Sequence, residues 1–205
     1  MNVLLYTEES STRWQQHTER WKHCIDCPIG LSCQNHVLGR GQLPCDILFL
    51  GEAPGPEEDD EGIPFIGRAG KVLTALIRQA STRLKISGLM YAEDRDALRY
   101  FISNTLACFP EDPSSDTFRK PETTELLRCK PRVLDLLEFA QPRGVVLLGK
   151  VAEGFYLKDI NSLSIPCVGL YHPSYINRNG GTASLMFKRV RDSLTEFISG
   201  LYERN

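Results

Sequence analysis

Four short apolar runs recur along the chain, each with the length of a β-strand. They cover residues 46–50, 100–102, 145–148 and 165–170. A strand that is covered on both faces has a continuous apolar sequence, whereas a strand with one exposed face alternates between apolar and polar residues. The pattern therefore predicts four buried strands.

Segments with helical spacing lie between these runs. After a glycine-rich turn, apolar residues recur at helical intervals of three and four positions, at Val72, Leu73, Leu76 and Ile77. Further helices are predicted over about residues 10–20, 121–140 and 183–198, the first with an N-cap at residues 10–12. Because strands and helices alternate, we predict an α/β fold. It would be a single three-layer α/β/α domain with a central, mainly parallel four-stranded sheet.

The composition is that of an ordinary globular chain. With 205 residues, of which 41% are hydrophobic, it can bury a core without disulfide bonds. We expect residues 1–205 to form one domain, with residues 1–45 packed on it as an N-terminal helix and an irregular segment. The net charge of -2 excludes a uniformly basic surface, so that any nucleic-acid-binding surface must be local.

The apolar runs are also too short for a membrane protein. None approaches the ~18 residues that a membrane-spanning helix needs, and residues 1–6 are too short for the apolar part of a signal peptide. We therefore expect a soluble, cytoplasmic protein without membrane contact, and we expect it to be a monomer.

The chain has seven cysteines, an odd number that argues against a disulfide framework and favours metal binding. Cys24 and Cys27 form a Cys-x-x-Cys pair, which by itself fits a zinc knuckle, a redox dithiol or half of an iron-sulfur site. A local zinc site would add Cys33 and Cys45. A thioredoxin-like role lacks the usual strand before the pair.

Three candidate functional segments directly follow predicted strands, where ligands bind in open α/β sheets. The first is residues 51–70, which begin Gly-Glu-Ala-Pro-Gly and hold an aromatic residue on a glycine-flanked loop. The second is Asn104, and the third is the triplet His172-Pro173-Ser174. The first segment, taken alone, fits a surface loop with solvated acidic residues and one core phenylalanine better than it fits an active site.

These three segments together resemble, in order, the signature motifs of the uracil-DNA glycosylase superfamily, specifically its iron-sulfur family 4 branch. The resemblance extends from about Cys24 to the C-terminal helix. It implies a DNA repair enzyme that hydrolyses the N-glycosidic bond of uracil in DNA and leaves an abasic site. It also implies that uracil-containing DNA, single- or double-stranded, is the partner.

The same resemblance implies roles for individual residues. Glu52 would position or activate the attacking water, and His172 would donate a hydrogen bond to the departing base. Phe65 would stack on the flipped-out base, Asn104 would bind its Watson-Crick edge, and Glu58 would lie near its C5. The substrate-binding set is then Gly51, Ala53, Glu58, Phe65 and Asn104.

The segment after His172 would contact the DNA. Residues 175–181 combine apolar side chains, a cation and glycines, a composition that suits a wedge inserted into the base stack. Ser174 and Arg178 are the predicted phosphate contacts. A solvated turn is the plain alternative.

The family resemblance also implies a metal site, in which Cys24, Cys27, Cys108 and Cys129 bind a [4Fe-4S] cluster. The connection from Cys108 to Cys129 looks longer than is usual in the family and could alter which base is accepted. Motif loops without a lysine favour a monofunctional enzyme. Two alternatives stay open: a relative that excises another deaminated or modified base, and an inactive DNA-binding relative.

Overall fold

The computed structural model describes residues 3–5, 7–84, 98–112, 114–115 and 117–203. Its strands are β1 Val3–Leu5, β2 Arg40–Leu43, β3 Ile47–Gly51, β4 Tyr100–Asn104, β5 Glu111–Asp112, β6 Thr117–Phe118, β7 Gly144–Leu148 and β8 Cys167–Leu170. Its helices are α1 Glu8–Trp21, α2 Pro28–Ser32, α3 Pro56–Glu61, α4 Arg68–Arg83, α5 Thr123–Ala140, α6 Lys150–Ser162, α7 Pro173–Arg178 and α8 Leu185–Tyr202.

The central sheet has the strand order β1-β2-β4-β3-β7-β8. Strands β4, β3, β7 and β8 are mutually parallel and correspond to the four predicted strands. The predicted fold class is confirmed, but among the described residues the sheet has six strands, not four. The prediction that all four apolar runs are buried is wrong for β8, which is a partly exposed edge strand. The N-terminal segment adds β2, which is antiparallel to β4, and β1, which is parallel to β2.

Alternate residues of the central strands face opposite helical layers. Ile47 and Phe49 of β3 pack in a core with residues of α4 and α8. Leu48 and Leu50 of the same strand pack in a second core with residues of α5 and α6. Because successive strand residues point to opposite faces, a continuous apolar run supplies both cores. This arrangement gives the predicted three layers.

The helix ends depart slightly from the predicted ones. Helix α1 begins earlier, because the Thr7 side chain is the N-cap and accepts a hydrogen bond from the Ser10 amide (3.0 Å). Helix α1 packs on α5, where His17 Nδ1 lies 2.6 Å from Asp135 Oδ2. Within the described ranges, no helix combines the length and apolarity required to cross a membrane.

Candidate active site and metal centre

The carboxyl ends of β3, β4 and β8 converge on a pocket of about 480 Å³. Every predicted catalytic, substrate-binding and DNA-binding residue lines it except Gly51, which lies next to it at the end of β3. The lining residues are Glu52, Ala53, Gly55, Glu58, Phe65, Ala69, Asn104, Phe118, Lys120, His172, Ser174 and Arg178. Side chains from distant parts of the sequence thus share one cavity.

Because Gly51 has no side chain, the Phe65 ring and the Asn104 amide can both pack against its backbone. It pairs with Asn104 across β3 and β4. A Cβ atom at Gly51 would lie 2.4 Å from Asn104 Oδ1 and 2.5 Å from Phe65 Cζ. These distances are below van der Waals contact, so a side chain at this position would displace both groups. Glycine is therefore required here for packing.

Asn104 and Phe65 are both buried, at 1% and 6% exposure. Asn104 Oδ1 has no hydrogen-bond partner among the described residues. Leaving a buried acceptor unpaired costs about 1–3 kcal/mol, so such an atom is a candidate ligand contact. Phe65 has a positive φ of 56°, and its carbonyl accepts a hydrogen bond from Arg40 Nη2 (2.8 Å). This hydrogen bond fixes the backbone of Phe65 and thereby the position of its ring.

His172 is the N-cap of α7, with φ -60° and ψ 137°. The Ser174 amide donates to His172 Nδ1 (3.2 Å), and Ser174 Oγ lies 2.8 Å from the same nitrogen. His172 Nε2 is buried and has no partner in the described structure, although other atoms of the residue reach the surface. Burial, reinforced by the positive charge of Arg178, lowers the pKa of His172 to about 4. The imidazole is therefore neutral near pH 7.

Glu52 is half-buried at the start of the loop after β3. Burial raises the pKa of its carboxyl above the usual range, and the positive charge of Lys120 partly opposes this rise. The Glu52 carbonyl accepts hydrogen bonds from the Leu106 amide (3.1 Å) and from the Thr105 hydroxyl. The residues that follow Asn104 thus hold the backbone of Glu52.

The Glu58 carboxylate is occupied by the backbone of its own loop. It accepts hydrogen bonds from the amides of Gly55 (3.1 Å), Ile66 (3.1 Å) and Gly67 (3.0 Å). Glu58 therefore joins the two ends of the segment that holds Glu52 and Phe65. Glu58 lines the pocket, and its hydrogen bonds give it a structural role that the sequence did not predict.

The long connection after Cys108 forms part of the pocket. Strands β5 and β6 pair as an antiparallel hairpin, which brings Phe118 and Lys120 to the pocket lining. Arg119 donates to both carboxylate oxygens of the buried Glu125 (2.6 and 3.0 Å), which attaches the hairpin to α5. Neither lining residue was predicted from the sequence, although the unusual length of the connection indicated that this segment differs from the rest of the family.

The four predicted metal-binding cysteines line one cavity. Cys24 and Cys27 lie between α1 and α2, Cys108 follows β4, and Cys129 is in α5. All four are free cysteines. Burial raises the pKa of Cys24 and of Cys27, and electrostatic interaction with Cys129 contributes to both shifts. The fold thus brings thiols that are distant in sequence within electrostatic range of one another.

The structure rules out the local zinc site that includes Cys45. Cys45 is 2% exposed and packs in the core between the sheet and α5, whereas Cys24, Cys27 and Cys33 pack in a different cluster. Cys33 instead lies with His36 and Cys108, whose ligand atoms are all within 4.8 Å of one another. This group can hold a metal ion. His36 was not predicted from the sequence as a metal ligand, although its Cys-x-x-His spacing from Cys33 is typical of one.

Comparisons with known proteins identify the family of the chain. A sequence profile described as "Uracil DNA glycosylase superfamily" matches residues 38–195. A Thermotoga maritima protein named type-4 uracil-DNA glycosylase is 35% identical over 176 residues, which cover 79% of this chain and 82% of that protein.

Two archaeal proteins with the same name are also similar. The Saccharolobus solfataricus protein is 36% identical over 140 residues, which cover 68% of this chain and 57% of that protein. The Sulfurisphaera tokodaii protein is 31% identical over 191 residues, which cover 82% of this chain and 79% of that protein. The matched region includes the whole pocket, and the chain belongs to the uracil-DNA glycosylase superfamily.

Proposed function

We propose that this protein is a monofunctional uracil-DNA glycosylase that acts in DNA repair and leaves an abasic site. The observation that carries the proposal is a pair of buried polar atoms in one pocket, Asn104 Oδ1 and His172 Nε2, which have no hydrogen-bond partner among the residues that the structure describes. The edge of uracil presents an imide N–H between two carbonyl oxygens. An acceptor and a donor complement that pattern.

The chemistry follows from the positions of His172 and Glu52. As the glycosidic bond breaks, its electron pair moves to the uracil, and negative charge grows on the base carbonyl. The Nε2–H group of His172 donates a hydrogen bond to that oxygen, a contact that contributes about 3–4 kcal/mol in comparable sites. With a pKa of about 4, the imidazole acts as a neutral donor.

Glu52 acts on the sugar side of the broken bond. Its carboxylate stabilises the positive charge that develops on the sugar and accepts a proton from the water that attacks C1′. A raised pKa makes this carboxylate a stronger base than an exposed glutamate. The proton then passes to the departed uracil, which balances the hydrolysis.

Phe65 and the segment around α7 bind the substrate. The Phe65 ring lies 5.9 Å from the His172 ring, at an angle of 36°. A flipped base that stacks on Phe65 therefore also reaches the His172 donor. Arg178 is exposed at the pocket, where it can bind a phosphate, while Ser174 contributes mainly by orienting His172 through its backbone amide.

Lys120 bears on the monofunctional assignment. It lines the pocket beside Glu52, although it does not belong to the motif loops. We infer that it balances the charge of Glu52 and does not attack the sugar. Borohydride treatment during turnover tests this point, because a lysine nucleophile would be trapped as a covalent DNA adduct. We expect no adduct.

We further propose that Cys24, Cys27, Cys108 and Cys129 bind a [4Fe-4S] cluster. Four free thiols on one cavity suit the thiolate ligands of such a cluster. The cluster would cross-link the N-terminal segment to the end of β4 and to α5. We also propose that the chain is one domain that acts as a soluble, cytoplasmic monomer on single- or double-stranded DNA.

Excision from a uracil-containing oligonucleotide tests the proposed activity. Purified protein is incubated with single-stranded and with duplex DNA, and alkali then cleaves the strand at each abasic site. We expect cleavage by the wild type, strong loss in Glu52→Gln and Asn104→Ala, and no loss in Glu196→Gln, which alters an exposed carboxylate on α8. An uncleaved strand under all salt conditions would overturn the proposal.

A second candidate is excision of another deaminated or modified base. Phe118 and Lys120 favour it, because they add an aromatic ring and a cation to the pocket from outside the three motifs. A panel of oligonucleotides with uracil, hypoxanthine, xanthine or a modified cytosine discriminates between the two. Faster excision of any base other than uracil would decide for this candidate, and no excision of any base would indicate an inactive DNA-binding relative.

A further inference from the structure

Arg132 is a buried cation between the metal centre and the active site. It lies in α5, three residues after Cys129, and is 1% exposed. Its Nε donates a hydrogen bond to Cys129 Sγ (3.4 Å). The guanidinium also lines the cavity that holds the four cysteines. One side of this group therefore faces the sulfur atoms.

The other side of the guanidinium holds the backbone that carries Asn104. Arg132 Nη2 donates to the carbonyl of Asn104 and to that of Thr105 (3.4 Å). Arg132 Nη1 donates to Ser103 Oγ (3.2 Å) and to the Leu38 carbonyl (3.5 Å). Apart from the sulfur, all of these acceptors are neutral oxygens.

No carboxylate pairs with Arg132 in the part of the chain that the structure describes. The carboxylates beside its ionisable neighbours contact other groups: Asp135 contacts His17, and Asp159 pairs with a lysine. Burial lowers the pKa of His17 to about 4 and raises that of Tyr156, so both side chains are neutral near pH 7. A buried cation without a counter-charge is strongly destabilising. The nearby cysteine sulfurs are the remaining source of negative charge.

We propose that Arg132 is the internal counter-ion of the metal centre and the positioning residue that couples it to Asn104. The inference rests on the proposed iron-sulfur cluster, whose thiolate ligands would supply the missing charge. From Asn104 and Thr105 the connection continues to the active-site loop. The Thr105 amide donates to the Gly51 carbonyl (2.9 Å), and its hydroxyl donates to the Glu52 carbonyl.

This arrangement gives Arg132 two separable effects. Its charge stabilises added negative charge on the cluster, so its loss makes the reduction potential more negative. Its five-donor fork fixes the Asn104 backbone, so a residue with the same charge and a different shape keeps the potential and misplaces the amide. Lysine has the charge without the fork. The two effects can therefore be measured independently.

The test compares holoenzymes of the wild type, Arg132→Gln and Arg132→Lys. Arg128→Gln is the matched control, because Arg128 lines the same cavity from the same helix and is exposed, whereas Arg132 is buried. Three properties are measured for each protein: the iron content, the reduction potential by protein-film voltammetry, and kcat and KM on uracil-containing DNA. An exposed charge is screened by solvent, so Arg128→Gln should shift the potential least.

We expect Arg132→Gln to bind iron with a more negative potential and a kcat lowered by about tenfold or more, with little change in KM. Arg132→Lys should keep the potential and show the same loss of kcat. Wild-type potential and kcat in Arg132→Gln would overturn the inference. If that variant does not fold, Arg132→Lys decides, because an unchanged kcat there would also overturn it.

The same experiment separates this inference from the proposed function. Arg132→Gln could excise uracil with wild-type kcat, normal iron content and an unchanged potential. That result would overturn the role of Arg132 and leave the proposed function standing. A wild-type protein that excises uracil and lacks iron overturns the cluster and the counter-ion role together. Iron binding without excision, with the expected shift in potential, supports the counter-ion role and contradicts the proposed activity.

Discussion

The backbone amide of Ser174 donates a hydrogen bond to His172 Nδ1 over 3.2 Å. A neutral imidazole has one N–H group, and Nδ1 is the acceptor in this bond, so the proton is on Nε2. Nε2 is the nitrogen that is buried and unpaired in the described structure. The first turn of α7 thus selects the tautomer with its donor available to a ligand.

Replacing His172 should remove the donor to the leaving base. We expect His172→Ala to lower kcat by about 10²–10³-fold, the range found when one such donor is lost. Single-turnover excision at saturating enzyme measures the effect. Ser174→Ala keeps the backbone amide that selects the tautomer, so its loss should be much smaller. An equal loss in both variants would show that the Ser174 hydroxyl, not the amide, orients the ring.

At low pH, the pH dependence of kcat should be controlled by the ionisation of Glu52. A base must be ionised, so kcat should rise with pH through the raised pKa of Glu52, while His172 stays neutral down to about pH 4. Lys120→Ala removes a charge that opposes the rise, so the acidic limb should move to higher pH. Kinetics from about pH 4 to pH 8 measure the limb, with Lys188→Ala as an exposed lysine control.

An acidic limb that stays in place in Lys120→Ala would contradict the electrostatic contact between Lys120 and Glu52. A limb that moves to lower pH would have the wrong sign, because the loss of a nearby cation favours the protonated carboxyl.

Gly51→Ala should impair base binding through steric displacement. The new Cβ would lie 2.4 Å from Asn104 Oδ1 and 2.5 Å from Phe65 Cζ, so both base contacts must move. We expect kcat/KM to fall by about 10²-fold. In the control Gly154→Ala, the Cβ meets no atom within 4 Å, and this helical alanine should stabilise the fold by about 0.5–1 kcal/mol. Normal activity in Gly51→Ala would refute the packing argument.

The cysteine variants should separate two possible metal sites. Cys24→Ser and Cys129→Ser should lose iron, whereas Cys33→Ser should keep about four iron atoms per chain. Metal analysis and the visible absorption spectrum measure the content. Stoichiometric zinc in the wild type, lost in Cys33→Ser and His36→Ala, would instead identify the group of Cys33, His36 and Cys108 as the metal site.

The apolar pattern predicted the four strands from β4 to β8 in the sheet order and missed β1 and β2, which form the opposite edge. Strands β3, β4 and β7 are buried, and burial on both faces produces an unbroken apolar run. The run that predicted β8 is also apolar, but β8 lies at the edge of the sheet and is partly exposed. Strand β2 has the sequence Arg-Gly-Gln-Leu, which carries no such pattern. It is a strand because it pairs with β4, and that pairing depends on a segment some sixty residues away.

The motifs pointed to residues that line one pocket because each motif can be recognised from its neighbours along the chain. A glycine-rich turn after a strand, an asparagine at a strand end and a histidine before a proline could all be recognised from neighbouring residues. The contacts of these residues could not. Glu58 occupies three amides of its own loop, and Arg119 attaches the hairpin of Phe118 and Lys120 to α5.

The sequence by itself therefore determined the α/β fold, the motif residues and the cysteines suited to a metal. The tertiary structure alone decided which tautomer His172 adopts, which of the other cysteines approaches Cys108, and where Arg132 lies. The physical reason is that periodicity and motifs depend on neighbours along the chain. Arg132, in contrast, binds carbonyls 27, 28 and 94 positions away, and only the folded chain brings those groups together.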